Sequence, residues 1–228
     1  MTPTFRVVGA GSVVRRFSPP SRRVMLAAVA AALLGGCINV RVGASDVPGT
    51  SYYVLADART AAPSTRATGA TARLAIQAIG GDSVADSTVL VYSRRPGERS
   101  FYQFASWSER PSRRIATLAE QRLDAGGRFA SVTQLGQPVS TEWLLTLALD
   151  TMVHDVSVEP GQARIVLRAE LIRRADRSRV AQRLFSASAP VAEASAPSAV
   201  AAFAVAAADV LDQLAAWVES NVAASSGR

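Results

Sequence analysis

The sequence predicts an α+β fold, a two-layer sandwich in which a mainly antiparallel sheet carries two amphipathic helices. Three observations predict it. Several segments between residues 73 and 186 alternate apolar and polar side chains with the period of half-buried strands. Residues 111–125 and the alanine-rich stretch after Pro197 change to the three-and-four spacing of helices. Ahead of both stands a basic, then apolar, then cysteine-ended segment, which reads as a cleaved signal peptide leading into a flexible tether.

That N-terminal segment is specific. The apolar run Val24 to Leu34 is too short for a bilayer, which takes about 20 residues. It suits the core of a secretory signal, and Arg15, Arg16, Arg22 and Arg23 supply the positive flank. Leu34-Gly35-Gly36-Cys37 then has the form of a bacterial lipobox, an aliphatic residue, two small residues and a cysteine. Cys37 is the only cysteine in the chain. Its thiol is the expected lipidation site, receiving a diacylglycerol and, as the first residue of the mature chain, carrying acyl chains such as palmitate. Arg22-Arg23 also fits a twin-arginine signal, so the sequence does not choose between the two export routes. Residues 1–36 are thus a lipoprotein signal peptide, 37–71 a lipidated N-terminus with a Tyr-Tyr-x-Leu element and linker, and 72–224 the folded domain.

Processing changes what the charge means. The net charge is +7, but Arg6, Arg15, Arg16, Arg22 and Arg23 precede Cys37 and no acidic residue does. The mature chain is therefore nearly balanced, and nothing points to a nucleic-acid partner. Without a second cysteine the mature chain can form no internal disulfide, so its stability comes from packing.

The elements follow in order. After the tether, "SYYVL" precedes "ADARTAAPSTRATGAT", whose small polar residues lack periodicity and read as a linker. In "RLAIQAIGG", Leu74, Ile76 and Ala78 alternate as one face of a strand. "STVLVYS" and "FYQFASW" flank Pro96-Gly97 and form a hairpin, with the aromatics expected in the core. Ile115, Leu118, Ala119 and Leu123 line a helix that Pro111 starts and Gly126-Gly127 stop. A short strand, "FASVTQL", comes next. "EWLLTLALDTMVHDV" places Trp143, Leu145, Leu147, Leu149 and Val153 on one face, and "ARIVLRAELIRR" alternates from Ile165 to Leu171. With "RVAQRLFSAS" these make an antiparallel meander with one wet face. "RRADRSR" reads as a solvated turn. Val200, Phe203, Ala207, Val210, Leu211, Leu214, Trp217 and Val218 form the stripe of a long closing helix.

Catalytic equipment is scarce, and the sequence is read as that of a non-enzyme without cofactor or metal. His154 is the only histidine. Strand parity sets it opposite the core face, pointing to solvent or to a subunit contact. The same parity puts Asp150 and His154 on one face and Asp155 on the other, which does not assemble a metal site. There is no G-x-S-x-G elbow and no phosphate-binding glycine loop.

Two motifs complete the reading. The lipobox is followed by Tyr52-Tyr53-Val54-Leu55, and the hairpin segment "VYSRRPGERSFYQFASWSERP" contains Tyr-x4-Trp-x3-Pro as Tyr102, Trp107 and Pro111. In this order, with an α+β body and a closing alanine-rich helix, the chain resembles the ABC-type transport auxiliary lipoproteins, the family of paraquat-inducible lipoprotein C. The resemblance runs from Cys37 to the last helix. It implies an outer-membrane lipoprotein facing the periplasm, a non-catalytic docking component of an Mce-type lipid transporter. Its partner would be the transporter's MlaD-like substrate-binding protein. By the same resemblance Tyr53, Leu55, Tyr102, Trp107 and Pro111 are structural or contact residues. Ile38 is not the aspartate that retains lipoproteins in the inner membrane, which agrees with outer-membrane sorting. A homo-oligomeric docking collar is compatible with this reading. The alternative is an envelope-assembly lipoprotein serving lipopolysaccharide or outer-membrane protein insertion.

Overall fold

The computed structural model describes residues 49–59, 65 and 67–226. Cys37 and the signal segment lie outside the described residues. The elements are β1 (Ser51–Tyr53), β2 (Arg73–Ile79), β3 (Val89–Ser93), β4 (Ser100–Trp107), α1 (Pro111–Ala125), β5 (Ser131–Gln134), β6 (Trp143–Asp155), β7 (Gln162–Arg173), β8 (Ser178–Pro190) and α2 (Ala196–Ser226).

Strand β6 organises the sheet. Along one edge it pairs antiparallel with β7, which pairs antiparallel with β8, so the expected meander forms. Its other edge is divided. The first half takes β2 in parallel register from Leu74↔Trp143 to Ile79↔Ala148, and the last residues take β3 at Tyr92↔His154 and Ser93↔Asp155. Between them the chain leaves the sheet at Gly81. A Cβ there would collide with the Leu149 backbone, and the next residue, Asp82, donates its amide to the Leu149 carbonyl at 3.0 Å. Beyond β2 lies β5, parallel to it. Beyond β3 lie β4 and then β1, so β1 is an edge strand. The longest ladders are antiparallel, yet β1–β4, β2–β5, β2–β6 and β3–β6 are parallel. The sheet is thus mixed, because parallel partners are joined through distant connections that local alternation cannot reveal.

Both helices pack on one face of this sheet, α1 over β2, β5 and β6, α2 over β7 and β8. Ala163, Ile165, Leu167, Ala169 and Leu171 of β7 are fully buried on that side. Helix α1 begins at Pro111, where a missing amide costs nothing. Its next free amide, Ser112 N–H, is satisfied by the Asp86 carboxylate at 2.9 Å, which also suits the positive end of the helix. Gly127, at φ +66°, turns the chain out of α1, as the glycine pair predicts. Helix α2 is long and apolar enough to cross a membrane by composition, but half of its most apolar window is buried within the fold. Its buried alanines, among them Ala199, Ala206 and Ala208, let its backbone approach its neighbours closely.

Strand β6 carries a bulge between Leu149 and Thr151. The extra residue reverses side-chain parity beyond it. Before the bulge Leu145, Leu147 and Leu149 face the helices. After it Met152 and His154 do, opposite the buried Ile165 and Ala163 of β7. Val153, expected on the face of Leu145, Leu147 and Leu149, instead pairs with Arg164 on the other face, where it is still buried.

Residues 56–59 also depart from the linker that their composition suggests. The Asp57 carboxylate accepts from the Arg122 guanidinium of α1 at 2.7 Å, and Arg122 also pairs with Asp212 of α2. Arg122 further donates to the Arg59 carbonyl at 2.7 Å. Arg59 reaches Asp209 and Asp212, the latter at 2.7 Å. The Asp57 and Arg122 side chains are only 8% and 10% exposed. A charge left alone at such depth is costly, so Arg122→Met is expected to destabilise the domain by about 3–5 kcal/mol. Urea denaturation of the two proteins checks this, and an unchanged midpoint would show that the junction contributes nothing to stability.

Candidate functional site

The motif residues converge on the β1–β4–α1 corner, and most of them are spent on packing. Strand β1 pairs in parallel with β4, Tyr53 beside Trp107. The Tyr53 carbonyl then accepts the Ser108 amide at 2.8 Å. Leu55 is 2% exposed, and its carbonyl accepts from Arg114 Nε of α1 at 2.8 Å. Trp107 is buried with its ring edge-on to Phe203 of α2, centroids 5.7 Å apart. Pro111 is buried at the start of α1. Tyr53, Leu55, Trp107 and Pro111 thus fasten the N-terminal segment to the sheet edge and to both helices. Cys37, the expected lipidation site, lies outside the described residues.

Tyr102 has a different setting. Its hydroxyl lies 2.7 Å from His154 Nδ1, and His154 Nε2 lies 2.8 Å from the Pro160 carbonyl. A carbonyl only accepts, so Nε2 carries the hydrogen. In the neutral ring Nδ1 is then the acceptor and Tyr102 donates to it. The Tyr92 ring packs on Tyr102 at 5.1 Å. The solvent-facing placement expected of His154 is therefore corrected. It is fully buried, because the bulge at Asp150 turned its side chain toward the helices. Asp150 goes the other way and pairs with Arg168 at 3.0 Å, so Asp150 and His154 do not share a face. With both ring nitrogens engaged and no exposed surface, His154 holds β4 and the β6–β7 turn together. Gly161 is required beside it: its φ is +96°, and a Cβ would come within 2.7 Å of His154 Nε2.

Burial pushes the His154 pKa below its ordinary value, against the opposing pull of the Pro160 hydrogen bond and the Asp155 charge. It pushes the Tyr102 pKa up for the same reason. Among the described residues, no group of three or more His, Cys, Asp or Glu is arranged to hold a metal.

The aromatics of β4 divide between the two faces. Tyr102 and Trp107 turn inward, whereas Phe101 and Phe104 are 50% and 38% exposed, contrary to the core role expected of them. The cause is an irregularity in the β3–β4 ladder, where Val89↔Ser106 is followed by Val91↔Phe101. Tyr52 and Val54, at 71% and 53% exposed, extend this apolar surface along β1. The "RRADRSR" turn is solvated as expected, with Arg174, Arg177 and Arg179 exposed.

The fold is thus a mixed sheet with two helices on one face, fastened at its edge by the Tyr-Tyr-x-Leu and Trp-x3-Pro elements. Residues 53–215 match the family model described as ABC-type transport auxiliary lipoprotein component, and the chain belongs to that family. The fold is similar to the crystal structure of a protein from Xanthomonas campestris at TM-score 0.68. Identity is 20%, over 78% of this chain and 100% of that one. A crystal structure of an uncharacterized protein is similar at TM-score 0.57 with 13% identity, over 75% of this chain and 99% of the other. No curated protein matches the sequence.

The histidine gives a pH prediction. A neutral His154 is favoured in the folded state, so the unfolded chain binds the proton more readily. Its contribution is complete above the ordinary value near 6.5 and is lost as pH falls from there toward the lowered folded value. His154→Phe is expected to cost about 1–3 kcal/mol at neutral pH, leaving the Pro160 carbonyl and the Tyr102 hydroxyl unpaired. It should also flatten the stability profile between neutral pH and pH 5. Thermal denaturation of both proteins across that range is the check, and parallel profiles would remove His154 as the titrating group.

Proposed function

We propose that this ABC-type transport auxiliary lipoprotein is held in the outer membrane by acyl chains on Cys37, faces the periplasm, and acts as a non-catalytic docking component of an Mce-type lipid transport system. The family match over residues 53–215 carries the reading. The motif residues support a structural and contact role, since Leu55, Trp107 and Pro111 are buried and the single histidine is enclosed with both nitrogens engaged. The lipobox ending at Cys37 supports the anchor.

The physical scheme is simple. Each buried methylene of an acyl chain contributes about 0.8 kcal/mol, so two or three chains anchor the domain stably at the membrane. Confinement to one surface raises the effective concentration of any partner reaching that surface. The MlaD-like substrate-binding protein of the transporter is the partner that the reading requires. Either a single copy or a homo-oligomeric collar could present the docking surface.

The test is a pull-down of a C-terminally tagged protein from detergent-solubilised envelopes, beside a Cys37→Ala control. The expected outcome is co-purification of an Mce-type protein, reduced at least several-fold in the control, which should also move from the membrane to the soluble fraction. Recovery of lipopolysaccharide-export or barrel-assembly components would replace the transport reading with one of envelope assembly. A Cys37→Ala protein that stays in the outer membrane would overturn the anchor.

A further inference from the structure

Strands β1 and β4 form a wing of the sheet whose composition is unusual for an edge. No charged residue occurs from Gly49 to Ala56 or from Ser100 to Ser108. Edge strands of soluble proteins are ordinarily protected by charge, proline or cover, because an apolar edge associates with whatever meets it. Here Tyr52 and Phe104 stand out of step with the inward Tyr53, Ala105 and Trp107, so they lie on the face away from the helices. Phe101, opposite Val91 in the ladder, belongs to the same wing. Tyr52, Val54, Phe101 and Phe104 are four of the large apolar side chains exposed among the described residues, gathered on two neighbouring strands.

The chain direction indicates what covers them. Strand β1 runs parallel to β4 with Ser51 opposite Ala105. The chain therefore approaches β1 from the end of β4 that adjoins the β3–β4 hairpin. The stretch from Cys37 to Ser51 spans at most about 50 Å even when fully extended. An acyl anchor on Cys37 thus keeps the start of this wing, at Ser51, within that distance of the bilayer. The hairpin beside it carries Arg94, Arg95 and Arg99. Those cations are offset by Glu98 in the hairpin and by Asp155 and Glu159 at the neighbouring end of β6. Net attraction to anionic lipid is therefore small, and apolar contact is the driving term. Tyrosine at a sheet edge suits the headgroup level of a membrane, where one end of the ring is dry and the other wet, and the wholly apolar phenylalanines beside it gain by leaving water.

We infer that the uncharged β1–β4 wing, through Tyr52, Val54, Phe101 and Phe104, rests on the surface of the same bilayer that holds the Cys37 acyl chains. The inference rests on the anchor proposed above and adds to it a fixed orientation of the domain. The wing lies against the membrane, and the solvent face of α2, where Val205 is exposed, stays free for partners.

The test uses the mature acylated protein, in which the Cys37 sulfur is already bonded, so an introduced cysteine is the single free thiol. Phe104→Cys and, separately, Val205→Cys are labelled with an environment-sensitive nitrobenzoxadiazole probe. The proteins are then reconstituted into vesicles of phosphatidylethanolamine with a minority of phosphatidylglycerol. The expected result is blue-shifted emission and quenching by doxyl-labelled lipid for the Phe104→Cys probe, with neither effect for the Val205→Cys probe. Phe101→Cys gives a second position should the first variant fold poorly. Flotation with the vesicles but a water-like Phe104→Cys probe overturns the wing contact and leaves the anchor standing. Failure to float overturns the anchor and the wing together. A shift that grows with protein concentration in detergent without vesicles assigns the wing to a second copy of this chain and overturns the lipid contact.

Discussion

The junction around Arg122 is the constraint on which the arrangement of this domain depends. One guanidinium ties three parts of the chain that are far apart in sequence: Asp57 before the body, α1 on which it sits, and Asp212 of α2. A buried ion pair gains little over a hydrophobic contact unless its remaining donors are used. Here they are, since Arg122 also donates to the Arg59 carbonyl, and Arg59 in turn neutralises Asp209 and Asp212. The pairing is directional in a way that an apolar contact is not. It fixes where residues 56–59 cross the helices and, through Leu55, where β1 meets β4.

Once β1 is placed, the rest of that corner follows. Leu55 enters the core, its carbonyl takes Arg114 Nε, and Trp107 closes over Phe203 of α2. The Tyr-Tyr-x-Leu and Trp-x3-Pro elements are therefore two halves of one fastening, one on the N-terminal segment and one at the strand-to-helix corner that receives it. Both elements thus have a structural task in this fold, whatever else they do. They attach the N-terminal segment to the domain.

The strands and helices were legible in the sequence wherever burial was one-sided. Alternation in β7 and the three-and-four stripe of α2 are direct records of which face meets the core. The termini of α1 were legible too, because proline and glycine act through their own backbones. What failed were features whose cause lies outside the local window. The bulge at Asp150 inserts one residue without disturbing the apolar alternation before it, so His154 and Val153 were assigned to the wrong faces. The irregular β3–β4 ladder did the same to Phe101 and Phe104. Asp57 and Arg59 looked like linker residues because their partners stand 65 and about 150 positions away. The parallel pairs of β2 and β3 with β6 were invisible for the same reason. Of the candidate site, the resemblance pointed to the motif residues as structural or contact residues, while the Arg122 junction next to them left no local signal.

If Cys37 carries the proposed anchor, the domain also has to withstand pull from it. A pull on residue 49 along the strand would load β1 along its length against β4. Three paired residues are a short ladder to carry it. Behind them stand the buried Leu55 side chain, the Arg114 bond to its carbonyl and then the Asp57–Arg122 pair. Dislodging β1 therefore transfers load to a cross-linked ionic junction between two helices rather than unzipping the sheet. The depth of Asp57 and Arg122, costly for an ordinary surface loop, suits a segment through which a membrane-anchored domain is held.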